Sequence, residues 1–150
     1  MRTYKLFKST FEYSLYLDKF ASKLRIPLTK LRLSSHQLRI ETGRYGNNRT
    51  EHNQRYCTIC NNGDIEDEFH FVCVCDVYVD LRRTYLNRYF FVRPSMFKFI
   101  DLMLNTTYQV QRNLCKFISV AFVRRYSIVK NITSISLYLL TLYIYKNHIY

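Results

Sequence analysis

The chain has 150 residues and a formal net charge of +12, with 23 Lys and Arg against 11 Asp and Glu. This length favours a single domain. The chain contains only three Gly and two Pro. This low content argues against disorder and against a sandwich of short strands, and it favours long helices. The positive charge predicts attraction to nucleic acid or to an anionic membrane surface. The 14 Tyr and 11 Phe residues add planar faces on which unpaired bases can stack.

Two helices are predicted before residue 44. Residues 9–12, Ser-Thr-Phe-Glu, fit a capping box, so a first helix is expected from Ser9 to about Arg25. Pro27 is expected to separate this helix from a second one that ends at Gly43. The apolar face of the second helix is predicted from helical spacing at Leu28, Leu31, Ser35 and Leu38.

A basic segment follows, and residues 23–55 hold eight Lys or Arg but only two acids. Residues 44–55 include Gly and Asn and are predicted to form an exposed loop. Such a run is either a solvated face or a phosphate-binding surface, because neutralisation of phosphates dominates nucleic-acid affinity. Both interpretations are open at this point. The candidate nucleic-acid-binding residues are Arg39, Arg44, Tyr45, Arg49, Arg55 and Tyr56.

Four of the five cysteines lie within residues 57–75. Cys57 and Cys60 form a C-x2-C pair, whose spacing lets two thiolates bind one metal ion, and turn-forming residues 61–63 follow. With His70 and Cys75 the pattern becomes C-x2-C-x9-H-x4-C, which predicts a structural, tetrahedral Zn²⁺ site. The alternatives are reduced core cysteines, a disulfide framework and a redox pair. The odd cysteine count, the lack of a recognisable signal peptide and the lack of a βαβ pattern disfavour the last two.

The fourth ligand is ambiguous from spacing alone. On an unbroken α-helix Cys73, three positions after His70, shares its face, whereas Cys75, five positions after it, does not. A break near Val74 would reverse this preference, and Asp76 resembles the N-cap of a following helix.

An acidic cluster precedes His70. Asp64, Glu66, Asp67 and Glu68 are expected to open a helix, where negative charge is favourable at the positive end of the helix dipole. A paired-carboxylate active site is the weaker alternative, because the sequence has no second acidic cluster with which to share a metal.

Further helices are predicted towards the C-terminus. One covers residues 76–92, a short one is capped by Ser95, and the best apolar periodicity lies over residues 110–122. Beyond Lys130 the chain becomes apolar, and residues 135–145 are too few to span a bilayer as a helix. This tail is predicted to be a buried strand, an interfacial segment or an unnatural end.

Several motifs in order resemble one family. The motifs are residues 31–36 (LRLSSH), residues 38–44 (LRIETGR), Arg55-x-Cys57-x-x-Cys60, residues 65–71 (IEDEFHF) and Cys75-x-x-Tyr78-x-x-Leu81-Arg82. Over residues 7–125 the chain resembles the zinc-binding region that follows the polymerase domain in LINE-type, non-LTR retrotransposon reverse transcriptases. In that family the H-x4-C spacing supplies the last ligand, so the resemblance implies Cys75 rather than Cys73. It also implies a module that holds the element's RNA or its DNA target.

The expected protein is therefore a mostly α, small helical domain of five or six helices around a Cys3His zinc site. Its parts are a basic helical segment and loop (1–56), a zinc-binding segment (57–92), C-terminal helices (93–130) and an apolar tail (131–150). The sequence has no Asp-Asp pair of the kind that holds two Mg²⁺ ions in a polymerase, so a non-catalytic fragment is expected.

The expected function is nucleic-acid binding, and the alternative is a zinc-stapled protein-interaction module. The expected partners are RNA or target DNA, with no small-molecule substrate and no membrane, and the expected location is intracellular, in the nucleus. The sequence gives no expectation for the oligomeric state.

Overall fold

The structure is a computed structural model that describes residues 5, 14, 16–46, 49–60 and 62–147, with side chains described up to residue 131. Over these residues the backbone is mostly helical and forms no strand, which confirms the predicted fold class. The α-helices are α1 (Tyr16–Lys19), α2 (Ser22–Arg32), α3 (Arg39–Thr42), α4 (Val79–Tyr85), α5 (Arg88–Phe91), α6 (Met96–Leu104) and α7 (Tyr108–Asn147).

The first two helices do not follow the predicted boundaries. The predicted cap at Ser9 lies outside the described residues, and the predicted helix to Arg25 is wrong because the chain breaks between α1 and α2. Pro27 does not separate two helices but lies inside α2. It is the sixth of the eleven residues of α2, in the helix interior, and the hydrogen bond it omits would have reached the carbonyl of Lys23. Lys23 is exposed, so water can satisfy that carbonyl.

The predicted second helix is also interrupted. Ser34 adopts a left-handed φ of 54° and ends α2, and the short α3 starts after Leu38. Gly43 is the C-cap of α3, but its φ of −72° is not left-handed. A close approach explains glycine here, since a Cβ would meet Thr50 Oγ1 at 2.7 Å and the Arg39 carbonyl oxygen at 2.9 Å.

In the C-terminal half, the predicted helix over residues 76–92 is wrong as a single element. It is a short 3-10 turn (Asp76–Tyr78) followed by α4 and α5. The chain breaks before α5 because the Asn87 side chain accepts a hydrogen bond from the Tyr89 N–H and caps the new helix. The predicted cap at Ser95 is confirmed, since its Oγ accepts from the Lys98 N–H.

The long helix α7 contains the strongest predicted periodicity. Leu114, Phe117, Ile118 and Ala121 are fully buried, as expected from their spacing. The helix continues to Asn147, so a strand is wrong for the tail at residues 135–145. Helices α2 and α4 pack on α7, and α7 therefore forms one wall of the core.

An aromatic cluster fills the centre of this core. The ring of Phe71 lies 5.0 Å from that of Tyr78, 4.7 Å from Phe122 and 6.3 Å from Phe117, centroid to centroid. Offset and edge contacts of this kind add to the stabilisation that burial alone provides. The cluster joins α7 to the segment that follows the cysteine pair.

Glu66 links the remaining parts of the chain. Its carboxylate is 1% exposed and accepts two hydrogen bonds from Arg125 of α7, at 2.7 and 2.8 Å. The same carboxylate accepts from the Arg39 N–H at 2.8 Å, and the Glu66 carbonyl accepts from the Ile40 N–H. Because Leu38 provides no side-chain cap for α3, Glu66 does so from a distant part of the chain.

Glu68 is the second buried acid of the predicted cluster. Its Oε1 lies 2.9 Å from Nε2 of His36, and both side chains are almost fully buried. The expectation that the acids only open a helix is therefore incomplete. Asp67 does so, since its Oδ1 accepts from the His70 N–H at 2.7 Å, but Glu66 and Glu68 form buried contacts across the fold.

Adjacent arginines of α7 provide a test of the Glu66 interaction. Replacing Arg125 with Met leaves the buried Glu66 carboxylate without its ionic partner, so we expect a loss of about 3–5 kcal/mol in the free energy of unfolding. Urea denaturation followed by circular dichroism measures it. The control is Arg124→Gln, whose partner Asp80 is exposed, and it should cost much less. Equal losses for the two variants would contradict the linking role of Glu66.

Candidate metal centre

The first two candidate ligands lie in a hairpin-like turn. Tyr56 and Ile65 form an antiparallel bridge, and the Cys57 N–H donates to the Asp64 carbonyl at 2.8 Å. Gly63 adopts a φ of +72° in the turn, a conformation that glycine reaches without the penalty a Cβ would bring. The turn carries Cys57 and Cys60 on one side of the hairpin, as the C-x2-C spacing predicts.

The other two candidate ligands are placed by a π-helical turn. Residues His70–Val74 form this turn, and the Cys75 N–H donates to the His70 carbonyl at 2.8 Å, an i to i+5 bond. The chain then leaves the helix at Cys75, whose ψ is 122°. The wide turn brings positions five apart together, whereas the spacing rule that favoured Cys73 assumes α geometry.

The structure therefore brings together Cys57, Cys60, His70 and Cys75. Their ligand atoms all lie within 4.8 Å of one another, and Cys60 Sγ is 3.3 Å from His70 Nε2. Tetrahedral zinc with Zn–S bonds of about 2.3 Å separates its sulfur ligands by about 3.8 Å. The group is thus at most about 1 Å wider than one ion requires, and it could bind a metal ion.

The remaining cysteine of residues 57–75 has a different environment. Cys73 is 2% exposed and does not belong to the cluster. Burial raises the pKa of its thiol to about 12. Because its sulfur is buried outside the group of ligand atoms, Cys73 is a core residue, as one of the alternatives for these cysteines predicts.

The electrostatics of the cluster favour charge on a sulfur. A hydrogen bond between the Cys57 and Cys75 thiols lowers the pKa of Cys57 to about 3 and raises the pKa of Cys75. Burial lowers the pKa of His70, but its contact with Cys57 and the charges of Asp64 and Asp67 outweigh burial and raise it. The contact between Cys57 and Cys75 therefore favours one thiolate in this pair, and metal binding must displace protons from the other ligands.

His70 also has a carboxylate on its far side. With Nε2 towards the sulfurs, Nδ1 lies 3.4 Å from Asp64 Oδ2. This contact is electrostatic and not a hydrogen bond, and Nδ1 is buried without a hydrogen-bond partner among the described residues. Carboxylates in this position orient metal-binding histidines and increase their basicity. The sequence analysis did not assign this role to Asp64. The signal that could have indicated it is the position of Asp64 directly after the turn that follows the cysteine pair, seven residues after Cys57.

The candidate nucleic-acid-binding residues divide into two groups. Tyr45, Tyr56 and Arg49 are exposed, with 70% exposure for Tyr45 and 49% for Tyr56. Arg44 is partly exposed, pairs with Glu41 at 2.9 Å and lies over the Tyr45 ring. These four residues, named here the arginine loop, are accessible to a ligand.

Arg55 and Arg39 are placed differently. Arg55 is 8% exposed and donates to the Thr50 carbonyl through Nε and Nη2, and to the Ile40 carbonyl through Nη1. The expectation that Arg55 contacts phosphate therefore does not fit its burial. Its guanidinium fixes the base of the arginine loop instead. Arg39 is half-buried, and its Nε is buried without a partner among the described residues.

No protein-family model, curated protein or solved structure matches this chain. The resemblance to LINE-type reverse transcriptases thus continues to rest on the motifs in the sequence.

The choice between Cys75 and Cys73 can be tested by metal content. We expect Cys75→Ser to abolish stoichiometric binding, because it removes one of four ligands. Cys73→Ala should keep one ion per chain and cost about 1 kcal/mol of stability through lost packing. Elemental analysis of the purified variants measures the metal content of each. Loss of metal in Cys73→Ala with retention in Cys75→Ser would show that the ligand set is wrong.

The orienting role of Asp64 predicts a change in affinity rather than in stoichiometry. Asp64→Asn should weaken metal binding by about 10–100-fold, the usual effect of removing such a partner. Competition with a chromogenic chelator measures the dissociation constant. The matched control is Asp76→Asn, which removes an equal charge next to Cys75 but whose carboxylate contacts Asn62 instead of His70. A similar loss in both variants would indicate a general charge effect and contradict orientation by Asp64.

Proposed function

We propose that this chain is a zinc-stabilised nucleic-acid-binding module. It would correspond to the region after the polymerase domain of a LINE-type reverse transcriptase and would be non-catalytic alone. The observation that carries the proposal is the position of the arginine loop, which leads directly into the cluster of three cysteines and one histidine.

The donor set supports Zn²⁺ as the metal. Three thiolates and one imidazole are soft and borderline ligands, and zinc accepts them in a closed tetrahedral site. His70 and Cys75 are buried, and Cys57 is 7% exposed, so little room is left for a substrate as a further ligand. Binding energies of about 10–16 kcal/mol for structural zinc equal or exceed a typical domain stability of about 5–15 kcal/mol. The metal would therefore hold the hairpin to the helical core.

The arginine loop supports nucleic acid as the partner. Its ends are tied together, since the Thr50 N–H donates to the Gly43 carbonyl at 3.0 Å and Arg55 holds the Thr50 carbonyl. A loop with fixed ends loses less entropy when its side chains bind a ligand. Arg44 and Arg49 would contact phosphates, and Tyr45 and Tyr56 would stack on unpaired bases. Arg39 would add charge at the base of the loop.

A protein-interaction module is the second candidate function. Phe97 is 73% exposed, and Met96, next to it in the chain, and Tyr89, on the preceding helix α5, are exposed as well. Exposed cations such as Arg83 and Arg112 also occur far along the chain from the arginine loop, so positive charge is not confined to that loop. Apolar residues exposed in this way are typical of a surface that a protein partner covers.

The sequence predicts that the chain has no membrane partner, and the length and apolarity of its helices bear on whether it could cross one. In the part of the chain that the structure describes, no helix combines the length and apolarity that crossing a bilayer requires. The nuclear location stays a prediction.

The salt dependence of binding tests the arginine loop. Replacing Arg44 and Arg49 with Gln should weaken binding to single-stranded RNA or DNA. It should also flatten the slope of log affinity against log salt by about 1.4, at about 0.7 for each lost phosphate contact. Fluorescence anisotropy at several salt concentrations measures the slope, and circular dichroism checks the fold.

The control replaces two exposed arginines elsewhere, Arg83 and Arg88, with Gln. It removes the same charge and should leave the slope close to that of the parent. Equal changes in both double variants would assign binding to overall charge. A parent protein that binds no nucleic acid at low salt would overturn the proposed function and favour the protein-interaction module.

A further inference from the structure

A groove lies between α2 and α7, with a volume of about 580 Å³. Its apolar walls include Ile26 and Pro27 on α2, and Val123 and Tyr126 on α7. Its lining includes none of the cluster residues and none of the arginine loop. The groove is therefore a feature separate from both.

The charge of the groove is positive. Lys30 of α2 and Lys130 of α7 are exposed residues of its lining, and Arg125 contributes a third cation. Among the residues that the structure describes, no Asp or Glu lines the groove. Glu66 pairs with Arg125, and the two lysines are the other cations of the lining. An anionic ligand would complement this charge.

The wall of the groove is aromatic and planar. Phe122 and His36 both line it, and their rings stack with an interplanar angle of 29° and a centroid distance of 6.4 Å. Phe71 stacks on Phe122 at 25° and 4.7 Å. Tyr126 is 62% exposed beside them. The His36 and Phe71 rings are themselves buried, so the exposed ring of Tyr126 is the face that this wall offers to a planar ligand.

We infer that this groove binds unpaired nucleotides of a single-stranded nucleic acid, with a base against Tyr126 and a phosphate at Lys30. The inference rests on the proposed function, because it requires that the chain bind nucleic acid. The volume lies within the range of about 300–1,000 Å³ found for small-ligand sites. A space of that size admits an unpaired base, while the bases of a duplex are stacked inside the helix. The groove would thus add a preference for single strands to the non-selective attraction of the arginine loop.

Exposed polar residues complete the site. Ser35 and Gln37, in the connection between α2 and α3, line the groove and are exposed. Their side chains can donate to and accept from base edges. Unstacked bases are recognised by such contacts together with stacking on aromatic rings.

The experiment compares a labelled single-stranded oligouridylate with an RNA duplex of equal length. Tyr126→Ala should weaken binding of the single strand about five-fold or more, as expected for the loss of one stacked base, and leave duplex binding unchanged. Lys30→Ala should weaken single-strand binding as well. The controls are Tyr89→Ala, another exposed tyrosine, and Lys23→Ala, an exposed lysine of α2 outside the groove. Both should behave as the parent, and circular dichroism should show that all variants fold.

The outcomes separate this inference from the proposed function. A parent that binds neither ligand overturns both. A parent that binds the single strand with unchanged affinity in Tyr126→Ala and Lys30→Ala overturns the groove alone. Equal losses on single strand and duplex also overturn it, because the groove would then not select unpaired bases. Groove variants that change the molecular mass by light scattering, but not the affinity, would show that a second copy of the chain occupies the groove.

A cross-link gives an independent readout. Irradiation of the parent with a 4-thiouridine oligonucleotide should label the peptide that contains Tyr126. Labels that appear only on peptides of the arginine loop would overturn the inference and leave the proposed function intact.

Discussion

The carboxylate of Glu66 is the constraint on which the rest of the structure depends. It binds Arg125 of the long helix, caps α3 through the Arg39 N–H, and lies on the hairpin that carries Cys57. Three segments that are distant in sequence thus meet at one buried charge. Burying a charge is unfavourable unless its partners are complete. These contacts therefore fix the positions of the hairpin, α3 and α7 relative to one another. The candidate metal ligands on the hairpin are positioned by the same contacts.

The parts of the site that depend on local spacing could be predicted from the sequence. The C-x2-C pair and the following turn placed Cys57 and Cys60 on one side of a hairpin, because that spacing fixes a short loop. The choice of Cys75 needed the family resemblance, since the α-helical face rule favours Cys73. The rule fails here because His70 starts a π turn, and no residue type in the sequence signals such a turn.

Contacts between distant residues could not be predicted in the same way. Arg55 was expected to bind phosphate, yet it is buried against the Thr50 and Ile40 carbonyls. Composition shows that an arginine is present, but only the path of the backbone shows whether carbonyl groups surround it. Pro27 is a similar case, because proline usually ends a helix, whereas α2 continues through it and the carbonyl left without a partner belongs to the exposed Lys23. The helical class and the core face of α7 were predictable, since both follow from periodicity.

The π turn also changes how the segment between the last two ligands meets its surroundings. In an α-helix at a surface, one of any three or four consecutive residues faces water. From His70 to Cys73 every residue is buried, Val74 is half-buried and Cys75 is fully buried. The segment has no exposed position at which a substitution would cost little stability. A map of tolerated substitutions across this chain would therefore show an unbroken block of intolerance here, in place of the alternating pattern that a surface helix leaves.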